Sequence, residues 1–177
     1  PHTNFNLGLR YEQLGNTGSA LTHYLKAAER SSDQALEYEC LIRMSVCLKK
    51  QGDRKFSQSH LLKQAIALIP TWPEAYFFLC KFYEADNKIY DCYLLSSIAL
   101  EVCDFGGGET DWSLFDQYPN RYDYMGRDGL WLYKAIGGMH WEKYEECSRI
   151  YERLISTSSN QQIRGICENN LKVIRGS

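Results

Sequence analysis

The sequence predicts an all-helical protein, a solenoid of about four antiparallel helix pairs that ends in a capping helix. Apolar residues recur along most of the chain at the spacing of one face of an α-helix. Small residues occur where successive helices would cross, and glycine, proline, asparagine and aspartate separate the apolar segments. No segment alternates strands with helices, so the sheet of a nucleotide-binding domain is not expected.

The first helix pair has the clearest pattern. Gly8 and Ala20 are small at the positions where its two helices would cross closely, and Tyr11 and Tyr24 are large enough to fill the space beside them. Gly15 separates the two helices, because glycine readily adopts the backbone conformations that end a helix. These spacings predict two closely packed antiparallel helices.

The predicted boundaries follow from the breaks and the apolar stripes. The first two helices are expected at about residues 4–14 and 19–30. The complete set comprises repeat units at about 1–33, 34–70 and 71–103, an irregular insertion at 104–120, a helix pair at 121–157 and a capping helix at 160–175. All of these elements belong to one predicted domain, residues 1–177.

Two motifs predict where helices begin and end in the third and fourth units. At Thr71-Trp-Pro-Glu74, the threonine can cap a helix, the glutamate can bond back to it, and the proline suits the first turn. Gly137-Gly138 predicts a turn between two helices at about residues 122–136 and 141–156.

The charge balance and the apolar runs exclude two classes of partner. The chain has 20 Lys and Arg residues against 22 Asp and Glu residues, so we expect no binding of nucleic acid. Apolar runs such as residues 75–80 are far shorter than the roughly 20 residues that span a bilayer, so we expect no membrane insertion. The expected partner is a protein or peptide, or a catalytic domain of the same polypeptide.

The seven cysteines are an odd number and form no Cys-x-x-Cys pair. This pattern is typical of reduced thiols and favours a cytoplasmic location over an oxidising compartment. We expect most of these cysteines to be small, buried core residues: Cys40, Cys47, Cys80, Cys92, Cys103, Cys147 and Cys167.

Three features together resemble a known family. They are the early Leu7-Gly8-x-x-Tyr11 unit, the stretch Ile-Pro-Thr-Trp-Pro-Glu-Ala-Tyr-Phe-Phe-Leu at residues 69–79, and a Gly/Asp/Tyr-Pro loop followed by one more helix pair. The chain resembles the tetratricopeptide (TPR) repeat regions attached to family 2-type glycosyltransferases of bacteria and of large DNA viruses or phages. The resemblance implies a tetratricopeptide-like right-handed solenoid, with sugar transfer carried out by a separate catalytic domain of the same polypeptide.

The sequence offers no recognisable catalytic or metal-binding motif. It contains no Asp-x-Asp pair, and Gly106-Gly-Gly108 lacks the Gly-Lys-Ser/Thr ending of a phosphate-binding loop. His140-Trp-Glu142 has the His-x-Glu spacing of zinc deaminases, but no Pro-Cys-x-x-Cys follows it. We therefore expect no catalytic residue, no cofactor and no metal in this module.

Two surfaces are candidates for binding. The first helices of the pairs line the concave face of a solenoid, and helical phase directs seven residues outward there: Asn6, Leu9, Gln13, Arg43, Lys50, Phe77 and Lys81. The second candidate is an aromatic platform for a sugar ring, formed by Trp112, Phe115 and Tyr118. The alternative for these aromatics is that they anchor the insertion onto the last helix pair.

Three functions remain open at this point. The first is a non-catalytic scaffold within a larger glycosyltransferase-like protein, one that mediates protein–protein or interdomain contacts. It is supported by the repeat pattern and by the family resemblance. The chain does not begin with methionine, so we also expect it to be a piece of a longer protein. The second is a free-standing interaction adaptor that is unrelated to glycan synthesis. The third is an enzyme that uses residues 104–128.

Overall fold

The computed structural model describes residues 1–52, 54–105 and 123–176, and all regular secondary structure in these ranges is helical. The all-α prediction is therefore confirmed. The described residues form nine helices: α1 (His2–Gln13), α2 (Thr17–Glu29), α3 (Gln34–Gln51), α4 (Lys55–Leu68), α5 (Glu74–Ala85), α6 (Ile89–Val102), α7 (Gly126–His140), α8 (Tyr144–Thr157) and α9 (Gln161–Arg175).

The chain divides into two compact units, Pro1–Ala75 and Tyr76–Ser177. In the first unit α1 packs on α2, α2 on α3 and α3 on α4. In the second unit α6 packs on α7, α7 on α8 and α8 on α9. The predictions that all helices form one domain, and that they form a right-handed tetratricopeptide-like solenoid, stay predictions.

α1 and α2 cross at the small residues that the sequence analysis identified. A Cβ atom at Gly8 would lie 2.5 Å from Cε1 of Tyr24, so only glycine leaves room for the aromatic ring. Tyr24 and Ala20 are fully buried. α1 and α2 each begin and end within two residues of the predicted bounds. The predicted turn between them forms at Gly15, which has φ +74°.

The predicted cap of α5 is wrong. The helix begins at Glu74, three residues after Thr71. The hydroxyl of Tyr38, on α3, accepts a hydrogen bond from the Ala75 N–H at 2.9 Å and lies 3.3 Å from the Glu74 carboxylate. A tertiary contact therefore supplies the acceptor for a backbone N–H in the first turn of α5.

The predicted turn at Gly137-Gly138 is also wrong, because both glycines lie inside α7. A Cβ atom at Gly137 would lie 2.5 Å from the backbone nitrogen of Tyr93 on α6. The glycines thus allow α6 and α7 to approach closely, a role that sequence alone does not distinguish from a turn. The chain turns instead just after His140, where Glu142 has φ +57°.

The capping-helix prediction at 160–175 coincides with α9. The side chain of Asn160 accepts hydrogen bonds from the N–H groups of Gln162 and Ile163, which starts the helix. α9 covers the apolar surface of α7 and α8, and its buried residues join one hydrophobic core: Leu132, Ala135, Cys147, Ile150, Tyr151, Leu154, Ile163, Cys167 and Leu171.

The cysteines are core residues, as the sequence predicts. Six of the seven are buried, Cys103 is partly exposed, and all are free thiols. Burial, assisted by nearby carboxylates, raises the pKa of Cys40 and of Cys47 from 9.0 to about 12. These thiols therefore stay protonated in the folded protein at neutral pH.

The α6–α7 crossing gives a first prediction. Gly137→Ala should destabilise the protein by about 1–3 kcal/mol, because its methyl group would collide with the backbone of α6. The matched control is Gly165→Ala, at a helical glycine where an added Cβ would meet nothing within 4 Å, and it should be neutral or stabilising by up to about 1 kcal/mol. Urea unfolding measures both, and equal effects of the two substitutions would refute the close-crossing argument.

The buried thiols give a second prediction, on pH. A thiol whose pKa is raised by folding contributes stability that is complete below about pH 9 and is lost as the pH rises toward 12, because only the unfolded chain then ionises freely. The free energy of unfolding, measured with urea under reducing conditions, should therefore fall between about pH 8.5 and about pH 10.5. The fall should be smaller in Cys47→Ala than in Cys103→Ala.

Candidate functional site

Two of the seven predicted concave-face residues do not face outward. Arg43 is 1% exposed and Phe77 is 1% exposed, so neither offers a binding surface in this structure. They were selected by helical phase, which assumes that one side of each helix faces solvent. α3 and α5 are instead buried over most of their circumference. Phe77 is packed among aromatic rings of its own unit, with ring centroids 5.3 Å from Tyr124 and 5.5 Å from Tyr133.

Arg43 is the centre of a buried polar network in the first unit. Its Nε donates to Glu39 at 2.8 Å, and its Nη1 lies 3.4 Å from the carboxylate of Glu12. The Tyr24 hydroxyl donates to the same Glu12 carboxylate at 2.7 Å. Burial and this carboxylate raise the pKa of Tyr24, so the hydroxyl remains a donor. The network joins α1, α2 and α3 and has a structural role.

The other five predicted residues are accessible to different degrees. Asn6, Gln13 and Lys50 are exposed, whereas Leu9 and Lys81 are partly buried. Lys50 lies 3.4 Å from Glu12 and so shares that carboxylate with Arg43, and Lys81 is ion-paired with Asp123. A binding role for the five residues stays a prediction.

The proposed sugar platform of Trp112, Phe115 and Tyr118 lies outside the described residues, as does nearly all of the predicted insertion.

The most distinctive surface of the second unit is the outer side of α6. Tyr90, Leu94, Ile98 and Val102 are 50%, 56%, 50% and 45% exposed, and they follow one another at intervals of four residues. This spacing places them along one side of the helix. We call these four residues the α6 face.

The fully buried residues of α6 are all small, Cys92, Ser96 and Ala99, and they lie on its inner side. Cys92 Sγ lies 3.3 Å from the backbone oxygen of Cys80 on α5, whereas the backbone of Ile89 and Tyr93 lies against Gly137 of α7. The usual arrangement of an amphipathic helix places its large apolar residues toward the core. In α6 the small residues serve the fold, and the large apolar residues of the α6 face lie toward solvent.

The apolar surface continues from the α6 face onto the turn after α7. The indole N–H of Trp141 donates to the backbone oxygen of Tyr90 at 3.1 Å, and the two rings meet edge to face with centroids 5.7 Å apart. The His140 ring also contacts Tyr90, with the two ring centroids 5.3 Å apart. Trp141 is 49% exposed, so it extends the α6 face by one large aromatic side chain.

A groove of about 350 Å³ lies next to His140. It is lined by side chains from the end of α7, the start of α8 and the end of α9: Met139, His140, Tyr144, Val173 and Ile174. Its volume is near the lower end of the range for ligand pockets, and its lining is mostly apolar. The groove is therefore suited to one apolar or aromatic group.

Two carboxylates frame the α6 face, Asp91 near its first residue and Glu101 near its last. Both are exposed, and α6 contains no lysine or arginine. The nearest cation along the chain, Lys88, is ion-paired with Asp86 at 3.0 Å. The exposed surface of α6 is thus apolar along its length and negative at both ends.

Sequence reasoning missed the α6 face because it selected only the first helix of each predicted pair, and α6 falls at a second-helix position of the predicted third unit. A signal was present: Tyr90, Leu94, Ile98 and Val102 repeat every four residues, on the opposite side of the helix from Cys92, Ser96 and Ala99. Two apolar stripes on one helix indicate more apolar surface than a single core contact can bury.

The described part of the chain shows no group of three or more His, Cys, Asp or Glu side chains that would hold a metal ion. Within the same ranges, no helix has the length and apolar character needed to cross a bilayer. No protein-family model matches the chain, and no curated protein matches it either. The fold and the surfaces described above are therefore the basis for a functional proposal.

The Arg43 network gives a third prediction. Arg43→Met should destabilise the protein by about 3–5 kcal/mol, because it leaves the buried carboxylate of Glu39 without its cation. Lys50→Met is the matched control on the same helix and should cost less than about 1 kcal/mol, because Lys50 is half exposed. Urea unfolding of both variants is the measurement. A similar small loss for both would show that Arg43 is not structurally required.

Proposed function

We propose that this chain is a non-catalytic binding module, a tetratricopeptide-like scaffold that holds a partner protein on the α6 face. As part of a larger glycosyltransferase-like protein, it would mediate protein–protein or interdomain contacts that position the partner relative to a catalytic domain. The observation that carries the proposal is the exposure of four large apolar side chains in line on α6, extended by Trp141.

Exposed apolar surface of this kind is uncommon on proteins that function without a partner. Single apolar residues on a surface need no explanation, but a contiguous apolar patch typically marks an interaction site. Burying the exposed half of a leucine or isoleucine side chain contributes about 1 kcal/mol to binding. Tyr90 and Trp141 add aromatic side chains, which are the residues that most often dominate the energy of an interface.

The fold itself does not explain the apolar character of the α6 face. α6 is attached to its unit through the buried Cys92, Ser96 and Ala99 and through the backbone of Ile89 and Tyr93 against Gly137, away from the side chains of Leu94 and Ile98. Polar residues at positions 94 and 98 would preserve those contacts. The apolar side chains therefore serve a purpose other than folding of the isolated chain, and binding of a partner is that purpose.

The test is a double substitution on the α6 face, and it gives a fourth prediction. Leu94→Gln/Ile98→Gln should lower the free energy of unfolding by at most about 2 kcal/mol and leave the chain folded, because only about half of each side chain is buried. The same variant should weaken partner binding at least about tenfold. Binding is measured by photo-cross-linking from position 102 in a lysate of the source organism, with the adduct identified by mass spectrometry.

The matched control is Leu14→Gln/Leu25→Gln, which removes two exposed leucines from the first unit. This variant should retain the adduct at the parent level. Loss of the same adduct in both double variants would indicate a general loss of hydrophobic attraction. If Leu94→Gln/Ile98→Gln still forms the adduct at the parent level, the α6 face is ruled out as the binding surface.

A further inference from the structure

We propose that the occupant of the α6 face is an amphipathic helix of a partner protein, one that carries lysine or arginine at both ends of its apolar stripe. This inference rests on the proposed function and adds the chemistry of the partner. It is drawn from the length of the face, from the position of its two carboxylates, and from the poor fit of the two competing occupants.

The dimensions of the α6 face suit a helix. From Tyr90 to Val102 the helix rises about 18 Å at about 1.5 Å per residue, which is a little more than three turns. A partner helix presents apolar residues at spacings of three and four over the same length. The groove beside His140 lies past the Tyr90 end, where it is suited to a larger side chain at the end of the partner helix.

The carboxylates lie on the same side of α6 as the apolar residues. At about 100° per residue, the arc from Tyr90 to Val102 covers about 120°, and Asp91 and Glu101 both fall inside it. Neither carboxylate is ion-paired within the described residues. A helix that covers the α6 face therefore meets a negative charge near each end, and lysine or arginine there complements it.

A second copy of the chain is a poor occupant. In an antiparallel pairing of two α6 helices, Asp91 of one copy would lie near Glu101 of the other. In a parallel pairing, each carboxylate would lie near its own counterpart. Both arrangements bring like charges together on a helix that has no cation to separate them, and such contacts oppose association.

A membrane surface is also a poor occupant. Helices that lie on membranes combine their apolar side with lysine and arginine, because the headgroups of many membranes are anionic. α6 carries the opposite charge at both ends of its apolar stripe. The same carboxylates that disfavour lipid and self-association favour a basic helix.

The experiment uses the full chain and two synthetic 18-residue peptides. Both contain the same leucine stripe at helical spacing, and one carries lysines at each end where the other carries glutamates. Fluorescence anisotropy at low salt should show at least about tenfold tighter binding of the lysine peptide, and the difference should shrink as salt is added. Asp91→Lys/Glu101→Lys should reverse the preference between the two peptides.

The matched control is Glu29→Lys/Glu168→Lys, which changes the net charge equally at exposed carboxylates away from α6. This variant should keep the parent's preference for the lysine peptide. If it too reverses the preference, the effect comes from net charge, and the inference about the α6 face is overturned.

The remaining outcomes separate this inference from the proposed function. Equal binding of both peptides, lost in Leu94→Gln/Ile98→Gln, overturns the basic-helix inference and leaves the α6 face as a binding surface. If sedimentation shows concentration-dependent dimerisation that Leu94→Gln/Ile98→Gln abolishes, the occupant is a second copy of the chain. This result also overturns the basic-helix inference. Binding of neither peptide up to about 1 mM overturns the inference, whereas the proposed function stands or falls by the cross-linking result.

Discussion

The close approach of α6 and α7 at Gly137 is the constraint on which the second unit depends. With the backbone nitrogen of Tyr93 only 2.5 Å from the place of a missing Cβ, the two helices are nearly in backbone contact. At this crossing Gly137 faces the backbone of Ile89 and Tyr93, and the fully buried side chains of α6 are the small Cys92, Ser96 and Ala99. Four large apolar residues of α6, those of the α6 face, are about half exposed on the outer side, and they form the candidate binding surface.

The first unit is organised differently, around a buried charge. Arg43 connects Glu39 on its own helix with Glu12 on α1, and Tyr24 on α2 bonds to the same Glu12. A buried arginine is stable only when its charge and its hydrogen-bond donors have partners. α1, α2 and α3 must therefore pack together so that the carboxylates and the tyrosine hydroxyl reach their places in the network. The arrangement contributes specificity of packing, since a shifted helix would leave a carboxylate or a guanidinium without its partner.

The sequence predicts helix positions well where local chemistry decides them. α1, α2 and α9 lie close to the expected bounds because Gly15 and Asn160 are local signals for a helix end and a helix start. The expectations failed where tertiary contacts decide. α5 begins three residues after Thr71, with the hydroxyl of the distant Tyr38 as acceptor for a backbone N–H of its first turn. Gly137-Gly138 allows a close helix crossing and does not form a turn. The candidate site was missed for a related reason, since exposure depends on which side of α6 its neighbours cover.

The distribution of buried thiols has a practical consequence. α3 carries Cys40 and Cys47, whereas α5, α6, α8 and α9 carry one buried cysteine each. A buried thiol becomes accessible to a reagent only when its helix opens, so its modification rate reports the local opening equilibrium in the way that amide hydrogen exchange does. The chain therefore contains intrinsic probes on five of its helices, and their order of modification would map which helices open together without any introduced label.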